Sequence, residues 1–297
     1  MSGAAAADRT MGVPHCEVGP WRLRTAAFRV LPDFLILGAQ KAGTTSLHRY
    51  LEEHPCVLRP ATKEVHYFDL KYDRGLDWYR AHFPTRLGRA LACRVGRAPA
   101  ASGDASPYYL FHPLAPRRAF ETVPNALLLV LLRDPVTRAH SHYRHAVRHG
   151  VEDCPTFAEA IALEDERLAG ERERIVADGR YDSFHFRHHS YLARGCYANQ
   201  LRAWFEYFPR ERFLILKSED LFGDPGSTFA RVLAFLGLPP WEPREFAEFN
   251  RGDDEPLDPG LRAELRARFA AAERDLNELL GPGFEFEDAV GGRGGGP

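Results

Sequence analysis

Long hydrophobic runs are missing from this sequence. The longest purely aliphatic stretch, Ala126 to Leu132, falls far short of the roughly twenty residues a membrane helix needs, so no bilayer-spanning segment is expected. The N-terminus offers only a four-Ala stretch before Asp8 and Arg9, with no apolar core of signal-peptide length. As written, the chain reads as not secreted. Cysteine is sparse: five residues stand far apart, with an odd total and no CxxC pair. That spacing excludes a zinc knuckle and fits a reducing compartment. An excess of one charge is also lacking, since 39 Lys and Arg face 41 Asp and Glu for a net charge of -2. No overall field draws the chain to nucleic acid or an anionic membrane, and any anion site must be local. Lysine itself is scarce, with Lys41, Lys63, Lys71 and Lys217 the only four, so a lysine inside a motif carries weight.

Apolar residues make up 44% and charged residues 27% of the 297. This composition excludes disorder as the main state and is enough for a sizeable core. Residues 1–30 are Ala-rich and aperiodic and are expected to be a flexible tail, as are the Gly-rich residues 283–297, leaving 31–282 as one domain. Asp33 to Gly38, Ala126 to Leu132 and Arg212 to Leu216 read as short buried strands. Helical patterns occupy Thr44 to Glu53, Leu76 to Phe83, Pro113 to Thr122, a polar stretch from Pro135 to about His149, Phe157 to Ala177, Ser190 to Phe208, Ser227 to Leu236 and Leu261 to Leu280. Strands alternating with helices predict an α/β fold: a P-loop-like three-layer sandwich whose central, mainly parallel sheet is flanked by helices. Ligands of such folds sit at the carboxyl ends of the strands, so the loops after Leu37 and Leu132 are the first places to look.

Gly38-Ala39-Gln40-Lys41-Ala42-Gly43-Thr44-Thr45 follows a strand and opens a helix, where backbone N–H groups and the helix dipole attract an anion. A nucleotide triphosphatase would end this loop in Gly-Lys-Ser/Thr. Here Thr44 takes that place and the only lysine is Lys41, inside the loop. The plainer reading is a Gly-bearing turn that binds nothing. The second expected strand ends in Arg133, with Ser141 eight residues on. A guanidinium and a hydroxyl can together read a phosphate monoester. Alternatively, Asp134 before Pro135 is a helix start and Arg133 pairs with a carboxylate.

FLILGAQKAGTTSLHRYLEEHP, KEVHYFD, SPYY, LLLVLLRDPVTRAHSHY and SYLARGCYANQLRAWFEYFP, in this order, resemble the sulfotransferases that use 3′-phosphoadenosine 5′-phosphosulfate, above all the heparan-sulfate and related carbohydrate group. The resemblance covers Pro32 to Leu238, with a weaker match to Leu280. It implies that Gln40, Lys41, Ala42, Gly43, Thr44, Thr45 and Ser46 bind the 5′-phosphosulfate, with Lys41 at the leaving phosphate. It further implies that Arg133 and Ser141 hold the 3′-phosphate, and that Glu64 is the general base. Two departures stand out. Ala105 occupies a position where the heparan 3-O-sulfotransferases carry Lys, and the basic loop that closes over the nucleotide has at best Arg251-Gly252 here. The acceptor implied is a glycan or small molecule, anionic or neutral, with no metal and no nucleic acid. The location implied is cytoplasmic, or the Golgi lumen if an N-terminal anchor precedes this chain.

His66 is the rival base, since its ordinary pKa lies nearer neutrality. In an extended segment it would share a face with Glu64. The bland alternative is a solvated Lys63–Glu64 pair beside a surface histidine. His142, His145 and His149 align at i, i+3 and i+7, which is compatible with zinc but better read, with Arg144 and Arg148, as a basic or simply solvated helix face. Ser190, Arg194 and Tyr197 are candidate cleft residues by resemblance, and Cys196 reads as a buried thiol. A small-molecule kinase and a non-catalytic nucleotide-binding protein remain as alternatives.

Overall fold

The structure is a computed structural model that describes residues 17–96, 99–249, 256–281 and 284–286. Four strands form its sheet: β1 (Phe34–Gly38), β2 (Gly103–Ala105), β3 (Leu127–Leu132) and β4 (Phe213–Lys217). They lie in the order β2-β1-β3-β4, every neighbouring pair parallel. β1 is buried throughout and β3 nearly so, as expected of strands covered by helices on both faces. β2 escapes the sequence reading because Gly-Asp-Ala has no apolar run. It belongs in the sheet because Gly103 lets it approach: a Cβ there would lie 2.1 Å from the Phe34 ring.

The chain leaves β1 to one side for β2, then crosses back to the other side for β3. The crevice between the ends of β1 and β3 is therefore the topological switch point, where folds of this class bind ligands. Helix Thr44–Glu53 follows β1, and helix Pro135–Arg148 follows β3. Asp134 caps the second of these, its carboxylate accepting from Thr137 N at 2.7 Å, with Pro135 in the first turn.

Several expected elements differ from those observed. The expected helix Phe157 to Ala177 is three, Phe157–Ala162, Glu164–Leu168 and Glu171–Ala177. The last break falls at Gly170, whose φ of +73° cannot continue a helix. The stretch Ser190 to Phe208 is helical only from Tyr197–Phe205, after a 3-10 turn at Ala193–Gly195. Helix Arg86–Gly96 was not anticipated. The expected N-terminal tail is ordered from about residue 17: Pro20–Arg24 is helical, and Arg29, almost wholly buried, donates to the Phe83 carbonyl at 2.7 Å. Likewise Phe286, within the expected C-terminal tail, packs in the main core. In both cases buried side chains fix segments whose composition looked featureless. Among the described residues no helix is long and apolar enough to cross a membrane.

Candidate active site

The loop after β1 is shaped by its two glycines. A Cβ on Gly38 would stand 2.8 Å from the Pro107 carbonyl oxygen; Gly43 adopts φ +89° and would collide with Phe222 at 2.9 Å. Gly43 begins helix Thr44–Glu53 with no side-chain cap. The first-turn N–H groups, which helix geometry leaves without intrahelical acceptors, together with the positive end of the dipole, make an anion seat. Within this loop Ala42 N donates to the Ala39 carbonyl at 3.1 Å. Ser46 turns its hydroxyl inward, accepting from Phe249 N at 3.0 Å. Buried Thr44 and half-buried Thr45 line the helix start.

Arg133 stands at the end of β3 and donates from Nη1 to the Lys41 carbonyl at 3.1 Å, which joins the two loops across the switch point. Its own carbonyl accepts from the buried Tyr197 hydroxyl at 2.7 Å. Arg194 Nη1 donates to Gln40 Oε1 at 2.5 Å and its Nε to Ser190 Oγ at 2.7 Å, so Arg194 and Tyr197 each brace one loop and Ser190 holds Arg194. Asp134 is engaged by its capping role and by Arg266 at 2.8 Å, which leaves Arg133 directed at the first loop.

Lys41 holds φ +70°. Burial, and the nearby cations Arg148, Arg133 and Lys63, pull its ammonium down from 10.5 to about 8. Several positive groups thus crowd one partly buried loop, an arrangement that a bound anion would relieve. Lys63 bridges to the second part of the site, donating to Thr45 Oγ1 and to Glu64 Oε1, both at 2.8 Å.

Glu64 and His66 do share one site, but not through an extended segment. Both have left-handed backbones, φ +57° and +54°, a strained conformation for non-glycine residues that clusters at functional sites. His66 Nε2 lies 3.7 Å from Glu64 Oε2, and its Nδ1 donates to Asp69 Oδ2 at 2.8 Å. Burial alone would lower the His66 pKa, but Asp69 and Glu64 overcome it and raise the imidazole to about 10. His66 is therefore a cation at neutral pH, and the proton-acceptor role expected of it as rival base does not suit its surroundings. Burial pushes Glu64 up, yet His66 and Lys63 outweigh it and hold the carboxyl at about 2, ionised and oriented.

The loop carrying these groups rests on β2. Ser106 Oγ accepts from His66 N at 3.2 Å and donates to Asp104 Oδ1 at 3.0 Å. Tyr109 and Tyr79 donate to Asp104 Oδ2 at 2.7 and 3.1 Å, and the Tyr109 hydroxyl accepts from Tyr67 N at 2.8 Å. Replacing Asp104 with Ala strands three buried hydroxyls. We expect a loss of about 2–4 kcal/mol in chemical denaturation, with a larger fall in turnover than in donor affinity.

Along helix Pro135–Arg148, Ser141, His145 and Arg148 share a face. His145 is lowered to about 4 by burial and by Lys41, His149 and Arg148, so it stays neutral beside the loop. His142 points elsewhere, buried and edge-on to Tyr191. Among the described residues the one cluster spaced for a metal is Glu152–Asp153–Cys154, so the three aligned imidazoles do not converge on an ion. Cys196 is half-buried, and burial raises its thiol pKa, in keeping with an inert group. Arg251 and Gly252 lie outside the described residues.

Lys63, Asp69 and Asp104 were not assigned roles from sequence. The signals for them were an i, i+3 His–Asp pair in KEVHYFD and a lone acid between small residues in GDAS.

The curated relatives include the mouse (Mus musculus) heparan sulfate glucosamine 3-O-sulfotransferase 6, 34% identical over 77% of this chain and 57% of that protein. The membrane-associated sulfotransferase kil1 of Dictyostelium discoideum is 25% identical over 87% of this chain and 67% of its own. The chain thus spans between 57% and 67% of these two relatives' length. Among solved structures, a sulfotransferase from Alicyclobacillus acidocaldarius superposes with a TM-score of 0.63 at 32% identity, covering 84% of this chain and 96% of that one. The sulfotransferase domain family matches residues 31–248, most of the described body and both loops of the switch point, and the chain belongs to that family.

Proposed function

We propose that this chain transfers a sulfuryl group from 3′-phosphoadenosine 5′-phosphosulfate to a hydroxyl, or an amine, of a carbohydrate-like acceptor, without a metal. The observation that carries this reading is the convergence of Lys41, Lys63 and Arg133 on the uncapped start of helix Thr44–Glu53, with the ionised Glu64 joined to the same cluster through Lys63. In this reading Gln40 to Ser46 hold the 5′-phosphosulfate, with Lys41 and the helix N–H groups opposing charge on the leaving phosphate. Arg133 and Ser141 hold the 3′-phosphate. The acceptor oxygen bonds to sulfur, the bond from sulfur to the bridging oxygen breaks, and adenosine 3′,5′-bisphosphate leaves. The acceptor proton passes to Glu64. Positioning and charge stabilisation carry most of the rate, by analogy with phosphoryl transfer.

A neutral Lys41 cannot oppose that charge. Because its folded pKa lies below the ordinary lysine value, the ammonium is lost early as pH rises, through about 8. The kcat/KM for donor should therefore fall roughly tenfold per pH unit above that point, and Lys41→Arg should move the fall to higher pH. Labelled-donor transfer to a panel of glycans and small alcohols, with and without Mg²⁺, checks the reaction. Titration with adenosine 3′,5′-bisphosphate and with ATP checks the donor. A preference for ATP, or a flat profile to pH 10, would refute the assignment. The acceptor class draws support from the 34% identity to a heparan sulfate enzyme and from exposed Arg148 beside Lys41.

A further inference from the structure

The most exposed large apolar side chains of the described residues are Leu87, Phe28 and Trp21, at 70%, 69% and 66%. Leu23 and Leu91 are exposed as well, so five of the eleven such residues fall in two short segments, 18–32 and 84–102. Those segments hold seven arginines and no aspartate or glutamate, while the rest of the chain carries 32 Lys and Arg against 41 Asp and Glu.

The fold brings the two segments together. Arg29 and Thr85 form an antiparallel bridge, Val30 N donates to the Pro84 carbonyl at 3.0 Å, and Arg22 donates to the carbonyls of Ala81 and Phe83 at 2.6 and 3.1 Å. Phe28 and the Arg86–Leu87 pair flank that bridge. Arg29 and Arg22 are occupied in this joint, and Arg89 pairs with Asp33 at 2.9 Å. Arg24, Arg86 and Arg94 are exposed. Of the bordering acids, Glu17 lies 3.7 Å from Arg74 and Asp33 faces Arg89.

From this face we infer a docking surface for an anionic lipid bilayer. Leucine, phenylalanine and tryptophan side chains standing in water, interleaved with arginines and with the flanking acids Glu17 and Asp33 each facing an arginine, match what an interfacial segment presents to headgroups and upper acyl chains. The excess of arginine over acid complements the negative surface potential of a phosphatidylserine-bearing leaflet. The placement also orients the molecule. Asp33 and Ser102, which anchor these segments, immediately precede β1 and β2, while Lys41 and Arg133 follow the opposite ends of β1 and β3. Docked this way, the candidate active site faces away from the lipid and toward an acceptor in solution.

The test is cosedimentation of the full 297-residue chain with phosphatidylcholine vesicles, with and without phosphatidylserine, at low and high salt. We expect binding to the serine-bearing vesicles only, weakening with salt, and a blue shift of Trp21 emission against the steady signal of buried Trp78 and Trp204. Trp21→Ser with Phe28→Ser and Leu87→Ser, and separately Arg24→Glu with Arg86→Glu and Arg94→Glu, should each weaken binding at least about tenfold. All six side chains are exposed, so the thermal midpoint should not move; should the apolar set fail to fold, the charge-reversal set and the Trp21 emission decide. The inference is overturned if the wild-type chain stays in the supernatant, if both variants bind as well as wild type, or if the apolar set instead dissolves a lipid-free dimer in sedimentation velocity.

Discussion

Glu64→Gln should lower turnover by about 10²- to 10⁴-fold and leave the affinity for adenosine 3′,5′-bisphosphate unchanged. The amide keeps the shape and one acceptor for Lys63, so the contact chain from Thr45 through Lys63 survives at reduced strength. What disappears is the anionic oxygen that would take the acceptor proton. The carboxyl sits at about 2 because His66 and Lys63 stabilise its charge, which makes it a weak base at rest. Its proton affinity must rise in the loaded site. In the proposed reaction, engagement of Lys63 by the donor's phosphates would supply such a rise, by drawing one cation away. Single-turnover transfer with labelled donor separates chemistry from binding. Normal turnover of the Gln variant with the true acceptor would move the base elsewhere.

Arg133→Ala should weaken binding of adenosine 3′,5′-bisphosphate by about 10- to 100-fold, since a charge-assisted hydrogen bond contributes roughly 1.5–3 kcal/mol. Removing the side chain also releases the Lys41 carbonyl, so a fall in affinity alone would not separate a lost phosphate contact from a loosened loop. Adenosine 5′-phosphate, which lacks the 3′ group, makes the distinction. By calorimetry the wild-type chain should prefer the bisphosphate, and the variant should lose that preference while binding the monophosphate nearly as before. Equal losses for both ligands would assign Arg133 to bracing the loop.

Three of the four strands were legible because β1, β3 and β4 are apolar runs long enough to be read without partners. β2 was not, because Gly-Asp-Ala is recruited by what it meets: Phe34 against Gly103, and two tyrosines and a serine around Asp104. Helix Pro135–Arg148 announced itself through Asp134 and Pro135, a local signal. The breaks at Leu163 and Gly170 did not, since the amphipathic pattern runs on through them. The ordering of residues 17–30 was hidden for a further reason. Its fixed points, Arg22 and Arg29, bond to carbonyls more than fifty residues away.

The sequence by itself determined the alternation of strand and helix, the glycine loop with its single lysine, and Arg133 at the end of the second apolar run. All of these depend on residues adjacent in the chain. Only the tertiary structure decided the charge states at the site. His66 is a cation because Asp69 and Glu64 flank it in a buried setting, and Lys41 is easily neutralised because Arg133, Arg148 and Lys63 surround it. Ionisation answers to every charge within a few ångströms and to the loss of water. Those distances are fixed only when β1 and β3 lie side by side and their loops meet.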